Sequence, residues 1–133
     1  MFEQRTGFQR QTLLDLQEAS IQLARAVAAI HHQDKIAYRT TGKWGKQSVS
    51  DDLSEGIRVA QARTGMLGAR VRDDAIRELI DKLKNRSVEA VSSPTPEDSD
   101  RADIGVTVIY DELNQRIGEV LRKLDDAEQV DFP

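Results

Sequence analysis

Apolar residues spaced three and four positions apart constrain the fold of this chain more than any other feature of its sequence. In the first such segment no Pro or Gly interrupts residues 8–41, and the apolar positions are Leu13, Leu16, Leu23, Val27 and Ile30. Residues three or four apart lie on one face of an α-helix, so the pattern predicts a helix over about residues 8–38. Its wide apolar face is typical of a helix bundle and broader than the seam of a two-stranded coiled coil.

The same periodicity predicts two further helices, over about residues 51–91 and 101–127. Two Gly and several hydroxyl residues predict a loop over residues 39–50. Two Pro and several Ser and Thr predict a flexible linker over residues 92–100. We therefore expect an all-α fold, in which residues 1–133 form a single helical domain and three long helices pack as an antiparallel bundle.

The second predicted helix contains a break in its apolar register. It opens at Asp52, which has Glu55 three residues later in the manner of a capping box. The spacing of three and four is then lost between Val71 and Ile76. This predicts that the helix is kinked or broken near residues 72–74, and a bent but nearly continuous helix is favoured over two separate ones.

Composition agrees with a helical domain and excludes several other classes. The chain has 133 residues, of which 38% are hydrophobic and only 5% aromatic, and it has no Cys. One domain of this length can bury an ordinary core. The absence of Cys excludes a disulfide scaffold, a cysteine-ligated zinc finger and a cysteine nucleophile. The low aromatic content argues against an all-β domain.

Charge is distributed unevenly along the chain. Residues 1–50 carry 7 Lys and Arg against 4 Asp and Glu, whereas residues 51–133 carry 12 against 19. We interpret the asymmetry as two bundle faces that attract each other, with a basic binding region as the alternative. No apolar run is long enough to span a bilayer and no signal sequence is recognisable, so a cytoplasmic location is expected. The cytoplasmic side of a membrane is the alternative if a longer product carries an anchor.

The predicted loop after the first helix combines cations with aromatic rings. Between residues 35 and 50 there are four basic residues and no acid, with one Tyr and the single Trp interleaved. Cations and rings together can hold a phosphate backbone and stack on bases. The overall acidity argues against nucleic acid as a partner, and the alternative interpretation is that the Trp caps the end of the bundle. The candidate ligand- or partner-binding residues are Tyr38, Arg39, Lys43, Trp44 and Lys46.

The two histidines do not form a recognisable metal site. His31 and His32 are adjacent, and Asp34 follows. Adjacent positions on a helix point about 100° apart, so both imidazoles cannot readily bind one ion. We therefore expect structural roles for these residues, and no metal or cofactor.

Small residues are frequent in the first two predicted helices. Gly56, Gly65 and Gly68 fall within the second helix, and alanines line the first. Each Gly within a helix costs roughly 1 kcal/mol relative to Ala. Close packing of two helices would offset this cost, and this interpretation is preferred over a ligand slot against bare backbone.

One acid pattern is similar to that of a known enzyme family. Asp51-Asp52-x-x-Glu55, followed at a distance by Glu78-x-x-Asp81, resembles the paired carboxylates of the all-α nucleoside triphosphate pyrophosphohydrolases. The resemblance implies a Mg²⁺ site made by two helices, with Asp52, Glu55, Glu78 and Asp81 as ligands. The first acids are also explained as helix-start residues, and in that family they are Glu within a helix. Both pairs fall on one predicted helix here, so the enzyme is kept only as an alternative.

A second resemblance concerns most of the chain. The segments Arg10–Ala19, Ala69–Asp74 and Asn114–Arg122 together resemble uncharacterised actinobacterial helical proteins. In many of those proteins a similar domain follows an N-terminal membrane helix. The resemblance implies a helical domain on the cytoplasmic side and no particular chemistry.

These observations favour a non-enzymatic interaction or oligomerisation module. Wide apolar stripes on long helices leave apolar surface that a second copy can cover, so a homodimer formed through an apolar helix face is expected. A different protein partner is the alternative. A phosphate-bearing ligand on the basic aromatic loop and a Mg²⁺-dependent nucleotide hydrolase are the other hypotheses.

Overall fold

The computed structural model describes residues 2–45 and 51–131, which form four α-helices and no strand. The helices are α1 (Phe2–Thr41), α2 (Asp51–Gly68), α3 (Asp74–Val91) and α4 (Pro96–Asp131). The all-helical class predicted from periodicity is confirmed. The predicted number of three helices is wrong, because the segment expected to form one bent helix is divided between α2 and α3.

The division between α2 and α3 is caused by a turn and a helix cap. After Gly68 the backbone tightens, since the amides of Arg70 and Val71 donate to the carbonyls of Leu67 and Gly68 at 3.0 and 3.2 Å. Asp73 is then extended, with φ −69° and ψ 119°, and its carboxylate accepts the amide of Ile76 at 2.9 Å. An extended residue ends the helical hydrogen-bond ladder, and an Asp at this position begins a new helix. The break lies where the apolar register is lost.

The fourth helix begins earlier than its sequence predicts. Residues 92–100 were expected to be a flexible linker, yet α4 starts at Pro96. The hydroxyl of Thr95 accepts the amide of Asp98 at 3.1 Å, as an N-cap residue does. Pro is favoured in the first position of a helix because the amide it lacks has no partner there. The prediction was wrong because it took Pro96 as a helix breaker rather than a helix start.

Helices that follow one another in the chain run antiparallel, as do α1 and α4, while α1 and α3 also pack together and run parallel. Between α1 and α4, His31 contacts Ser99, Gln17 contacts Asn114 and Arg10 contacts Asp125. The α3 helix likewise packs against both α2 and α4, and α2 packs against α1, while the described residues of α2 and α4 do not touch. The arrangement is an up-down-up-down four-helix bundle, as short connections between helices favour.

The core of the bundle is aliphatic. Its fully buried large side chains come from three of the four helices, and α2 adds mainly small residues and Leu67. Among the residues that the structure describes, the partly buried Tyr110 is the one aromatic ring packed against this cluster. The predicted apolar positions of α1 are confirmed as core. The principal core residues are Leu13, Leu16, Leu23, Val27, Ile76, Leu83, Val106, Leu113 and Ile117.

The glycines of α2 pack against α3. A Cβ atom on Gly68 would lie 2.7 Å from Cδ1 of Ile80, and one on Gly65 would lie 2.7 Å from Nζ of Lys84. Gly56 has nothing within 4 Å of that position. Close packing against the buried Ile80 of α3 therefore explains Gly68, whereas Gly65 faces only the flexible end of Lys84.

Candidate binding groove and the predicted sites

The basic aromatic loop is folded against the end of the bundle. Tyr38 and Arg39 belong to the last turns of α1, and Lys43 and Trp44 follow it, whereas Lys46 lies outside the described residues. Gly42 has φ 72°, a left-handed conformation that Gly adopts without strain and that lets the chain turn away from α1. The side chains of Tyr38, Arg39 and Lys43 are exposed.

Trp44 is engaged with the protein itself. Its indole Nε1 donates to the backbone carbonyl of Ser93 at 2.9 Å. Its ring meets Tyr38 edge to face, with ring centroids 6.0 Å apart and planes at 78°, a favourable arrangement for aromatic pairs. The one hydrogen-bond donor of the indole is therefore used within the fold. This geometry matches the capping interpretation of Trp44, and it leaves Arg39 and Lys43 as the exposed cations of this region.

His31 joins α1 to the start of α4. Its Nδ1 lies 2.7 Å from the hydroxyl of Ser99, and its Nε2 lies 3.1 Å from a carboxylate oxygen of Asp100. Lys35 reaches the same oxygen at 3.1 Å. Burial raises the pKa of the neighbouring Asp34 carboxyl, and the charge of His31 partly opposes that shift. These contacts agree with the structural role expected for His31, while His32 is exposed.

The four acids of the hydrolase alternative do not come together. Asp52 lies at the start of α2, while Asp81 lies beside Gly65 and Gly68 near the other end of that helix. At 1.5 Å per residue the separation along α2 is about 20 Å. Glu55 pairs with Arg58 on its own helix, with atoms 2.6 Å apart. Within residues 2–45 and 51–131, no three His, Asp or Glu side chains are grouped so as to hold a metal ion.

A groove that the sequence did not predict lies at the opposite end of the bundle from Trp44. It has a volume of about 730 Å³ and is bordered by the first turns of α1, the connection between α2 and α3, and the last third of α4. Its apolar lining includes Phe8, which is 56% exposed, together with Val71, Val120 and Leu124. A large ring exposed beside other apolar side chains is typical of a surface that a partner covers.

Arginines surround this groove. Arg5, Arg70 and Arg72 border it, and all three are exposed. None of them forms an ion pair with a carboxylate in the described part of the chain, where other arginines are paired with acids. The apolar groove thus has a cationic rim that forms no ion pair with any acid among the described residues.

Asp73 is the one acid among the described residues that line the groove, and it is paired with a cation of α4. Arg116 of α4 donates to both carboxylate oxygens of Asp73, at 2.7 and 3.3 Å. The ion pair with Arg116 lowers the pKa of Asp73 below its ordinary value, burial opposes this, and the bond from the amide of Ile76 lowers it further. Asp73 therefore stays ionised but its charge is compensated, so it does not offset the arginines of the rim.

Sequence reasoning missed the groove because its residues are far apart along the chain. In the sequence, Phe8 marks only the approximate start of a helix, Arg72 lies at the register break, and Arg70 precedes that break. The signal available in the sequence was Arg70-x-Arg72 at a break between two helices, followed directly by Asp73. Nothing in the sequence places Phe8 or Leu124 beside that segment.

Comparisons of this chain with protein-family models, with curated proteins and with solved structures find no match. The two resemblances drawn from the sequence stay predictions. The bundle and its groove therefore supply the observations on which a function is proposed.

No helix among the described residues is both long and apolar enough to cross a membrane.

Proposed function

We propose that the chain is a non-enzymatic helical interaction module that associates with a second copy of itself. The groove at the α2–α3 end carries this proposal, because it combines apolar side chains with arginines. These arginines form no ion pair with any acid among the described residues. Arg and aromatic residues are enriched in the cores of protein interfaces, where their burial supplies most of the binding free energy.

The exposure of Phe8 supports the same function. The ring of Phe8 remains 56% exposed in the monomer. Covering it with a partner would stabilise the complex by roughly 25 cal/mol per Å² of buried apolar surface. The neighbouring Val120 and Leu124 are only partly buried, so a partner would cover them together with the ring.

The chemistry of the remaining candidate sites favours an interaction role over a catalytic one. The carboxylates of the hydrolase alternative are far apart, and His31 is held by Ser99 and Asp100. On the loop after α1, the indole of Trp44 is bonded to the backbone of Ser93. A stacking role on nucleic acid would require that ring to leave both Tyr38 and Ser93.

Sedimentation velocity over a range of protein concentrations tests this function. We expect a concentration-dependent monomer–dimer equilibrium, and Phe8→Ser should shift it toward the monomer. Ile36→Ser is the matched control, because Ile36 is also an exposed apolar residue of α1, at 47% exposure, but lies near the other end of the helix. A wild-type chain that stays monomeric at every concentration contradicts the proposal.

A further inference from the structure

The end of the bundle that carries the groove also carries an acidic run of the sequence, at the end of α4. Residues 125–133 contain four Asp or Glu and no Lys or Arg. Within the described part of this segment, Arg10 forms ion pairs with Asp125 at 2.6 Å and with Glu128 at 2.8 Å. Asp125 and Asp126 are exposed. One guanidinium cannot compensate this cluster, so the end of α4 keeps a negative excess.

The basic groove and the acidic helix end are adjacent in one molecule, and none of the ion pairs among the described residues joins them. Leu124 lines the groove, and Asp125 follows it directly. The α4 helix continues without interruption to Asp131, alongside the first turns of α1. A continuous helix cannot fold back on itself, so its acidic end does not enter the groove beside which it runs.

We propose, building on the self-association proposed above, that the groove binds the acidic end of α4 from a second copy of the chain. The arginines at the rim, Arg5, Arg70 and Arg72, then face the carboxylates of the partner copy. Apolar side chains of both copies are covered in the same contact, and charge complementarity sets the orientation of the two copies.

Because both features lie at one end of the molecule, they favour a two-fold pair of copies. In an end-to-end pair related by a two-fold axis, each groove receives the helix end of the other copy, and the contact is made twice. Such an isologous interface closes at a dimer. Features at opposite ends of the bundle would instead give an open filament, so the assembly expected here is a closed dimer that weakens as salt screens the charges.

A charge-exchange experiment tests the pairing directly. The groove variant is Arg70→Glu with Arg72→Glu, and the helix-end variant is Asp125→Lys with Asp126→Lys. Each variant alone places like charges in both contacts, so its dimer dissociation constant should rise at least about tenfold. In an equimolar mixture the acidic groove meets the basic helix end and the basic groove meets the acidic one. The mixture should therefore form a heterodimer of nearly wild-type affinity.

Sedimentation velocity with one variant fluorescently labelled measures the mixed species, and circular dichroism verifies that both variants keep their helix content. Arg39→Glu with Lys43→Glu is the control at the other end of the bundle and should leave the dimer unchanged. A wild-type dimer that the groove variant does not weaken overturns this pairing but leaves self-association standing. Failure of the mixture to restore the dimer also overturns it. A monomeric wild type overturns both proposals.

Discussion

At the scale of single residues, the buried hydroxyl groups of the core differ in whether they form hydrogen bonds. Ser20 and Ser87 are buried, and each donates to a carbonyl of its own helix, at 3.1 Å to Gln17 and 2.7 Å to Leu83. Thr64 is completely buried in α2, and its hydroxyl has no hydrogen-bond partner in the described part of the chain. A buried polar group without a partner costs free energy because it has lost its bonds to water.

Replacing Thr64 with Val should therefore stabilise the protein. The two side chains have nearly the same shape and similar helix propensity, so the change removes the desolvated hydroxyl and little else. We expect the free energy of unfolding to rise by about 1 kcal/mol, measured by urea denaturation followed by circular dichroism. Ser87→Ala is the control, since it removes a bonded hydroxyl and should give no gain. A lower stability for Thr64→Val would contradict the assignment.

At the scale of helices, one side chain begins α3 and fastens it to α4. The carboxylate of Asp73 accepts the amide of Ile76 and the guanidinium of Arg116. Arg116 also bonds Glu119 one turn further along α4, at 2.9 Å. The contact joins residues 43 positions apart. It therefore fixes the axial register of α3 against α4 as well as the residue at which α3 begins.

Asp73→Ala should destabilise the protein and change its response to acid. The loss of the cap alone costs about 1 kcal/mol, and loss of the ion pair adds to it. The pKa of Asp73 is lowered in the folded state, so its stabilisation is complete above the ordinary value of 3.8 and is lost as the pH falls through the lower folded value. The measurement is urea denaturation at neutral pH and at a series of pH values below 4.

Asp74→Ala is the matched control for this experiment. Asp74 is the next residue, its side chain is 83% exposed, and it pairs with Arg77 on the same helix. Exposed pairs of this kind contribute little, so the control should stay close to the wild type. Equal losses in the two variants would show that Asp73 acts only as another exposed acid.

At the scale of the whole molecule, contacts between distant segments close the two ends of the bundle differently. At one end, Trp44 joins the segment after α1 to Ser93 between α3 and α4. At the other end, the connection between α2 and α3 leaves an open groove against α1 and α4. One end is therefore closed by the chain itself, and the other has a surface available to a partner.

Trp44→Phe tests the closed end. Phenylalanine keeps an aromatic ring for Tyr38 but cannot donate to the carbonyl of Ser93. We expect the free energy of unfolding to fall by about 1 kcal/mol, measured by urea denaturation. Lys43→Ala changes an exposed neighbour and should have little effect. If the two variants were equally stable, the bond from Trp44 to Ser93 would not contribute to the fold.

The sequence predicts where the helices lie and which faces are buried better than it predicts where they end and which helices they contact. The apolar spacing located the core face of α1, and the lost register located the break before Ile76. The start of α4 at Pro96 was missed, because Pro is unfavourable inside a helix and favourable in its first position. The apolar spacing also does not predict whether Gly68 packs against α1 or α3, because periodicity identifies a buried face but not the helix that covers it.

Periodicity alone predicts the helical class and the apolar faces, because residues three or four apart share a helix face whatever surrounds them. Tertiary packing sets the path of α3, which returns along α2 and packs against Gly68. It also decided the groove, which combines Phe8, Arg70 and Leu124 from segments more than 50 residues apart. Local periodicity carries no information on such distant neighbours, and only the packing of the helices brings them together.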